Sequence, residues 1–215
     1  MNKNKFHHII NTVFNWARAI LNHQLYGVQG GYKHRENCIP YDDRSETDNW
    51  QKEVYEFSDE VCQNNGYQSI IDFGCGSGYK LINILGNYNT LGLEIDPILT
   101  FLNSKYPENK WASFDVNRKY ETDLLIISDV IEHIKEPDMF LNQIIKAISF
   151  KKIIISTPDR DLLPLSSKYG PPINLSHHRE WSFNEFRSFI SEFIEVEKHF
   201  ISNHEQSTQL ILGKC

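Results

Sequence analysis

The segment DFGCGSG at residues 72–78 follows a short apolar run and combines a carboxylate with three glycines. Because glycine has no Cβ, a glycine-rich turn lets a ligand lie close to the backbone. The spacing G-x-G-x-G matches neither the G-x-G-x-x-G of dinucleotide sites nor the G-x-x-x-x-G-K-[ST] of phosphate-binding loops. Asp72 would also repel a pyrophosphate, so the segment favours a ligand without one.

Two further carboxylates follow later apolar runs. Glu94 lies 20 residues after Gly74, a position from which a carboxylate can accept hydrogen bonds from both hydroxyls of a ribose. Asp115, in FDV at residues 114–116, is placed to hold an adenine amino group. An acid-rich pocket of this kind suits a nucleoside cofactor that carries a positive charge better than a phosphorylated one.

Histidines and charged residues are concentrated between residues 157 and 181, a stretch that holds four of the eight prolines. We predict that His177 or His178, with His177 preferred, takes the proton of an acceptor hydroxyl or positions it, because an imidazole suits that task near pH 7. Glu180 would orient the ring, and Arg179 would bind an acidic group of the acceptor. Alternatively, Glu180 and Arg179 form a structural ion pair and the histidines cap the next helix.

His133 belongs to SDVIEHI at residues 128–134, directly after an apolar run. It is predicted either to line the acceptor pocket or to pack over the cofactor. Histidine and carboxylate side chains can also bind a divalent metal. No ligand spacing in this chain requires one, and we predict none.

An α/β fold is predicted to position these groups. Residues 124–127 and 153–155 are apolar at every position, as strands buried on both faces of a parallel sheet must be. The predicted strands are 69–73, 90–95, 111–116, 123–128, 152–157, 193–200 and 208–212. The predicted helices after the first strand are 79–85, 97–105, 137–149 and 182–191.

The first 46 residues precede this alternation. Residues 6–21 predict an amphipathic helix, and a second helix, capped by Thr47 or Asp48, runs to about residue 65 and is ended by Gly66. Residues 1–35 carry five Lys and Arg and no carboxylate. We therefore predict that residues 1–46 form a substrate-side lid, with Tyr32 and Arg35 binding the acceptor. Residues 47–215 would be the cofactor-binding domain, with a lid insertion at about 157–181.

Composition narrows the class of protein. The 215 residues carry a net charge of −6, 40% hydrophobic residues and four cysteines without zinc-like spacing, which argues against disorder and against a zinc domain. No apolar stretch is long enough to span a membrane or to form a clean signal peptide. We expect a cytoplasmic protein.

The four motifs together (DFGCGSG, GLEID at 92–96, FDV and SDVIEHI) resemble those of class I S-adenosylmethionine-dependent methyltransferases. The resemblance implies a Rossmann-like three-layer sandwich whose seven-stranded sheet is mostly parallel, with one antiparallel edge strand. It also implies S-adenosylmethionine as cofactor, with the methionyl part near Asp72 and Gly74, the ribose on Glu94, and adenine between Ile95 and the Asp115–Val116 turn. The predicted cofactor-binding residues are Asp72, Gly74, Cys75, Gly76, Gly78, Glu94, Ile95, Asp115, Val116, Ser128 and Asp129.

The segment after residue 157, with its GPP and HHREW sequences, resembles more loosely the methyltransferases of glycan- and saccharide-modifying pathways. That resemblance implies O-methylation of a small polar acceptor such as a sugar or a surface-glycan intermediate. The alternatives are a ubiquinone-type or other small-metabolite methyltransferase and a non-catalytic partner subunit with the same fold. A nicotinamide oxidoreductase is disfavoured by the glycine spacing. A nucleic-acid acceptor is not expected, because no (N/D)PPY-like motif follows the fourth strand.

Overall fold

Strands with continuous apolar runs form the centre of one seven-stranded sheet. In the computed structural model, which describes residues 26–41, 44, 50–166 and 168–215, the strand order is β3-β2-β1-β4-β5-β7-β6. The strands are β1 Ser69–Phe73, β2 Asn89–Leu93, β3 Trp111–Ala112, β4 Tyr120–Ser128, β5 Ile148–Pro158, β6 Glu195–Asn203 and β7 Thr208–Lys214. Neighbouring strands from β3 to β5 are parallel. The reversed strand, β7, pairs antiparallel with β5 and with the edge strand β6. The predicted fold class is confirmed.

The helices cover both faces of this sheet. They are α1 Lys52–Asn65, α2 Tyr79–Asn83, α3 Ile98–Lys105, α4 Pro137–Ala147 and α5 Phe183–Ile190, with one 3₁₀ turn at Ile131–His133. Gly66 ends α1 in a left-handed conformation (φ 66°), as predicted. The start differs, because α1 begins at Lys52 after Gln51 and no side chain caps it. Thr47, Asp48 and the predicted helix 6–21 lie outside the described residues.

Strand β4 shows why the sheet is buried on both faces. Leu125 and Ile127 belong to the apolar cluster on one face, which also contains Trp181, whereas Leu124 and Ile126 belong to the cluster on the other. Successive strand side chains point to opposite faces, so a strand between two helical layers needs an apolar residue at each position. The carboxyl end of β4 is thereby fixed at the centre of the molecule.

Strand β3 is shorter than predicted. It pairs with β2 only at Trp111 and Ala112, and the chain then leaves the sheet. Asp115 turns the backbone, since its Oδ1 accepts the amide hydrogen of Asn117 at 2.9 Å. Phe114 is free of the ladder and is directed to a cavity described below.

An N-terminal segment, residues 26–41, lies along the lid, residues 157–181. Backbone amides of Lys33, Arg35 and Ile39 donate to carbonyls of Tyr169, His178 and Leu175 at 2.8, 2.8 and 3.0 Å. The described part of the predicted N-terminal domain is thus joined to the lid along its length. Within the described ranges no helix is both long and apolar enough to cross a lipid bilayer.

Candidate functional site

A cavity of about 380 Å³ opens at the carboxyl ends of β1, β2 and β4. In an open parallel sheet, ligands bind outside these ends. The loop after β1 lines it with Gly74 and Cys75, and the end of β2 with Glu94 and Ile95. The volume lies in the range of small-molecule sites, which are mostly apolar with few polar groups.

The glycine loop is held in shape by its own backbone and by packing. Gly74, Gly76 and Gly78 have φ values of 74°, 54° and 71°, a region that other residues rarely adopt. A Cβ on Gly74 would lie 2.4 Å from Cγ2 of Val130, in the loop after β4. Packing against Val130 therefore requires glycine at position 74, whereas the sequence predicted that a ligand would impose this requirement.

Glu94 is a buried carboxylate that faces this cavity. Its Oε1 accepts the amide hydrogen of Gly76 and its Oε2 that of Ile95, both at 2.8 Å. An ionised carboxylate has about four lone-pair positions, more than these two backbone bonds use. The backbone bonds fix the carboxylate in one orientation, as binding of a diol requires.

The other predicted cofactor acids are placed differently. Asp72 is fully buried beneath the loop and accepts a hydrogen bond from the Tyr55 hydroxyl at 2.9 Å, and it is Tyr55 that lines the cavity. Asp115 and Val116 are exposed and do not line it, whereas Phe114 and the largely exposed Ile95 do. The predicted adenine position therefore has two apolar walls, and Asp115 has a turn-forming role.

Asp129 lies directly after β4, where the resemblance places the methyl donor. Its backbone has a φ of 50°, unusual for a residue other than glycine, and its Oδ1 accepts the Ser156 hydroxyl at 2.7 Å. Burial raises the pKa of its carboxyl, against hydrogen bonds from Ser156 and Gln51 that lower it. Ser128 lies beside it, 3.0 Å from Ser156 between the two hydroxyl oxygens.

A second cavity of about 300 Å³ adjoins the first beneath the lid. Tyr41, Trp50, Gln51, Asp129 and His133 line both. The second cavity is also lined by Glu132, His177, Asn174 and Glu180. Two compartments that meet at Asp129 can hold two reactants with their reacting atoms adjacent.

His177 is buried with a defined tautomer. Its Nδ1 lies 2.8 Å from Oε1 of Glu180, a carboxylate that can only accept when ionised, so Nδ1 carries the hydrogen. Its Nε2 accepts from Nδ2 of Asn174 at 3.0 Å, and Asn174 is oriented by its Oδ1, which accepts from Ser176. The structure thus brings His177 and Glu180 together as the sequence predicts, with a lone pair on Nε2.

His133 lies against His177, with ring centroids 4.8 Å apart. Its Nδ1 donates to the Ser176 carbonyl at 2.9 Å, which leaves the lone pair on Nε2. Burial, and then the neighbouring His177, lowers the pKa of His133 to about 4. The ring is therefore neutral at physiological pH, and it lines both cavities.

His178 and Arg179 point away from the cavities. Nδ1 of His178 donates to the Arg35 carbonyl at 2.6 Å. The buried guanidinium of Arg179 donates to the carbonyls of Ile134 and Lys135 at 2.7 and 2.5 Å and lies 4.4 Å from the centroid of the Tyr26 ring. These are the contacts of anchoring residues, which corrects the predicted role of Arg179 in acceptor binding and of His178 in catalysis.

Tyr32 and Arg35 hold the N-terminal segment on the lid and line neither cavity. The Tyr32 hydroxyl accepts the amide hydrogen of Glu180 at 3.0 Å, and burial raises the pKa of Tyr32 to about 12. The Arg35 side chain donates to the Pro172 carbonyl. Both residues support the second cavity from outside, which differs from the direct contact predicted for them.

Several residues at the cavities were not predicted, among them three with polar or charged side chains. Glu132 is 1% exposed and accepts the Thr157 hydroxyl at 3.0 Å. Lys80 is buried and lines the first cavity, with Nζ 5.5 Å from the centroid of the Tyr55 ring. Gln51 lines both cavities and accepts from Ser128. Of these three, only Glu132 could have been found from a sequence motif, because it belongs to SDVIEHI. Gln51 precedes α1 and Lys80 lies in α2, so the packing of those helices brings them to the site.

Comparison with known proteins agrees with this geometry. Residues 41–204 match the family described as "Methyltransferase domain", which is more than half of the chain. No curated protein matches the sequence.

Solved structures share the fold at low identity. The chain is similar to the small RNA methyltransferase HEN1 (19% identity, TM-score 0.58, covering 84% of this chain and 26% of that one). It is also similar to the methyltransferase domain of bacterial CtHen1-C (17% identity, TM-score 0.61, covering 77% of this chain and 98% of that one). A third similar structure is an S-adenosylmethionine-dependent methyltransferase from Clostridium acetobutylicum ATCC 824 (13% identity, TM-score 0.59, covering 76% of this chain and 91% of that one). The chain thus spans about a quarter of the length of HEN1.

Proposed function

The chain belongs to the methyltransferase-domain family, and from that premise we propose that it transfers a methyl group from S-adenosylmethionine to an oxygen of a small polar acceptor. A sugar or a glycan intermediate is the preferred acceptor. The observation that carries this proposal is the pair of adjoining cavities that meet at Asp129. Transfer between two molecules needs a donor site and an acceptor site in direct contact.

The first cavity suits S-adenosylmethionine. Glu94, a carboxylate held in one orientation at this cavity, would accept from the ribose hydroxyls, and Phe114 and Ile95 would provide apolar walls for the adenine. Lys80, a buried residue that lines the same cavity, would pair with the carboxylate of the methionyl part. When bound, this cofactor supplies an electrophilic methyl group on a positively charged sulfur.

The second cavity supports a hydroxyl acceptor. A hydroxyl is a weak nucleophile until its proton is removed, and His177 presents a lone pair on Nε2 to this cavity. Nε2 would take the acceptor proton as the oxygen–methyl bond forms. Glu180, bonded to Nδ1–H, would stabilise the imidazolium that results. Nδ2 of Asn174 donates to Nε2 when no acceptor is bound, and the acceptor hydroxyl would replace it as the donor.

The polar groups of the second cavity favour this acceptor class over a ubiquinone-type one. Glu132, His177 and Glu180 are buried and converge on it. A flat aromatic acceptor would leave these groups unpaired, which is costly in a buried site. Apolar walls are also present, from Leu163 and Ile173, and these suit the faces of a sugar ring.

The test is a methylation assay on His177→Asn. Asn keeps an N–H that can bond Glu180, so the buried carboxylate retains a partner, but it removes the Nε2 lone pair. We expect kcat to fall about 10²–10⁴-fold with the affinity for S-adenosylhomocysteine unchanged. His199→Ala, on β6 and outside both cavities, is the matched control. Near wild-type turnover by His177→Asn would contradict the role of His177.

The acceptor is to be found by mass spectrometry of methyl gain on nucleotide-activated sugars, glycan fragments and short RNAs. RNA is included because HEN1 is a small RNA methyltransferase. A methyl gain on RNA alone would contradict the sugar assignment. Binding of S-adenosylhomocysteine without turnover of any acceptor would favour a non-catalytic partner subunit. A rise in Tm with NAD would favour an oxidoreductase.

A further inference from the structure

Two imidazoles and one carboxylate converge at the second cavity. Glu132, His133 and His177 each offer one nitrogen or oxygen atom, and these atoms lie within 4.8 Å of one another. All three residues line the cavity. Two histidines with one carboxylate form a common ligand set for divalent transition metal ions.

The hydrogen bonds of both histidines favour metal binding. His133 uses Nδ1–H on the Ser176 carbonyl and His177 uses Nδ1–H on Glu180. In each ring the lone pair is therefore on Nε2. A histidine that binds a metal typically donates its other N–H to a carbonyl or a carboxylate, which fixes the ring and its tautomer. Both supporting partners are in place.

Glu132 provides an independent observation. Its side chain is 1% exposed, and Thr157 donates to Oε2 at 3.0 Å. Among the described residues, Oε1 has no hydrogen-bond partner, although the atom is buried. A buried carboxylate oxygen without a partner is costly. A cation bound at Oε1 would remove that cost.

We propose that Glu132, His133 and His177 bind one divalent transition metal ion, of the Mn²⁺, Co²⁺ or Zn²⁺ type, at the edge of the acceptor cavity. Metal–nitrogen distances of about 2.1 Å place donors about 3–4 Å apart, so the side chains need to close by at most about 2 Å. Asn174 would release Nε2 of His177. The ion would occupy the Nε2 lone pair that the proposed function gives to the acceptor proton. The inference therefore rests on the proposed function but revises the role of His177 in it: His177 would be a ligand, and the ion would hold the acceptor oxygen and lower the pKa of its hydroxyl.

The test measures metal binding by the full chain, without acceptor. Metal-stripped protein is titrated with Co²⁺ and with Mn²⁺, and the bound ion is followed by Co²⁺ absorption and Mn²⁺ electron paramagnetic resonance. We expect one ion per chain. Glu132→Gln keeps the volume and the Thr157 contact, and His133→Ala changes a ring that is partly exposed. Each should weaken binding by about 100-fold or more, beyond the usual effect of outer-shell changes.

His199→Ala is the matched control, since its half-buried imidazole bonds Gln209 on the neighbouring strand. Its affinity for the ion should equal that of the wild type. No binding by the wild type at millimolar metal, or equal binding by Glu132→Gln and His133→Ala, overturns the metal site. Calorimetry with S-adenosylhomocysteine on the same samples separates the two proposals. Cofactor binding without metal binding overturns this inference alone, and its absence in the wild type overturns the proposed function.

Discussion

Replacing Glu94 by Ala tests the assignment of the first cavity most directly. Its carboxylate holds two backbone amides at 2.8 Å and, in the proposed complex, two ribose hydroxyls. A hydrogen bond to a charged group contributes about 1.5–3 kcal/mol. Loss of the two ribose bonds therefore costs about 3–6 kcal/mol, and since 1.4 kcal/mol is a tenfold change, affinity should fall about 10²–10⁴-fold.

The same substitution should also lower the stability of the glycine loop. The Gly76 amide is buried and would lose its acceptor, whereas Ile95 is 73% exposed and its amide can turn to water. One unsatisfied buried donor costs about 1–3 kcal/mol. We therefore expect a lower Tm in Glu94→Ala even without ligand. Glu94→Gln should be intermediate in affinity, because its carbonyl accepts one bond and its amide N–H₂ faces a second donor.

The assay is isothermal titration calorimetry with S-adenosylhomocysteine at a temperature where circular dichroism shows each variant folded. Glu121→Ala is the matched control, an exposed carboxylate near the amino end of β4, at the other end of the sheet. It should bind like the wild type. An affinity within threefold of wild type for folded Glu94→Ala would refute the ribose assignment.

Two further predictions concern stability. In Gly92→Ala the new Cβ would lie 2.5 Å from the Trp111 ring and 2.6 Å from Sγ of Cys75, so we expect a loss of about 1–3 kcal/mol from overpacking, and an unchanged denaturation midpoint would contradict the packing. Asp123 accepts from Lys151 at 2.7 Å and from the backbone of Ser69, which holds its pKa well below the ordinary 3.8. A carboxylate whose pKa is lower in the folded than in the unfolded state stabilises the fold at pH values above its unfolded-state pKa. This contribution is lost as the pH falls through its folded-state pKa. Asp123→Asn should therefore unfold more easily at pH 7, by about 1–3 kcal/mol, with the difference from wild type shrinking below about pH 4; a difference independent of pH would argue against the ion pair.

The residues at the ends of β1 and β2 that line the first cavity could be located from the sequence because their signals are local. A strand, a glycine turn and the acid after the next strand lie at fixed separations in a βαβ unit, so Glu94 could be placed from spacing alone. Asp115 shows the limit of that argument. Spacing puts it after the third strand, but the two-residue strand β3 ends early and the chain turns, so Phe114 faces the cavity instead.

The acceptor side was less predictable because neighbours in the sequence face opposite ways. His177 and His178 are adjacent, yet His177 bonds Glu180 at the cavity and His178 bonds Arg35 on the outside. No periodicity in a loop decides between them. A charged residue in a polar loop, such as Arg179, is predicted to be exposed and to bind a ligand. In the structure it is buried against Tyr26 and donates to the carbonyls after the 3₁₀ turn. These partners lie far away in the sequence.

The N-terminal segment and the lid therefore act as one structural unit in forming the second cavity. Tyr32 holds the backbone of Glu180 through its hydroxyl, and Glu180 holds the ring of His177 through its carboxylate. The orientation of the Nε2 lone pair thus depends on a residue 145 positions earlier in the chain that never touches the cavity. Burial raises the pKa of Tyr32 to about 12, so the hydroxyl that accepts the Glu180 amide stays neutral at physiological pH. Tyr32 and Arg35, which the sequence predicted to bind the acceptor, instead contact the lid, Tyr32 at Glu180 and Arg35 at Pro172 and His178.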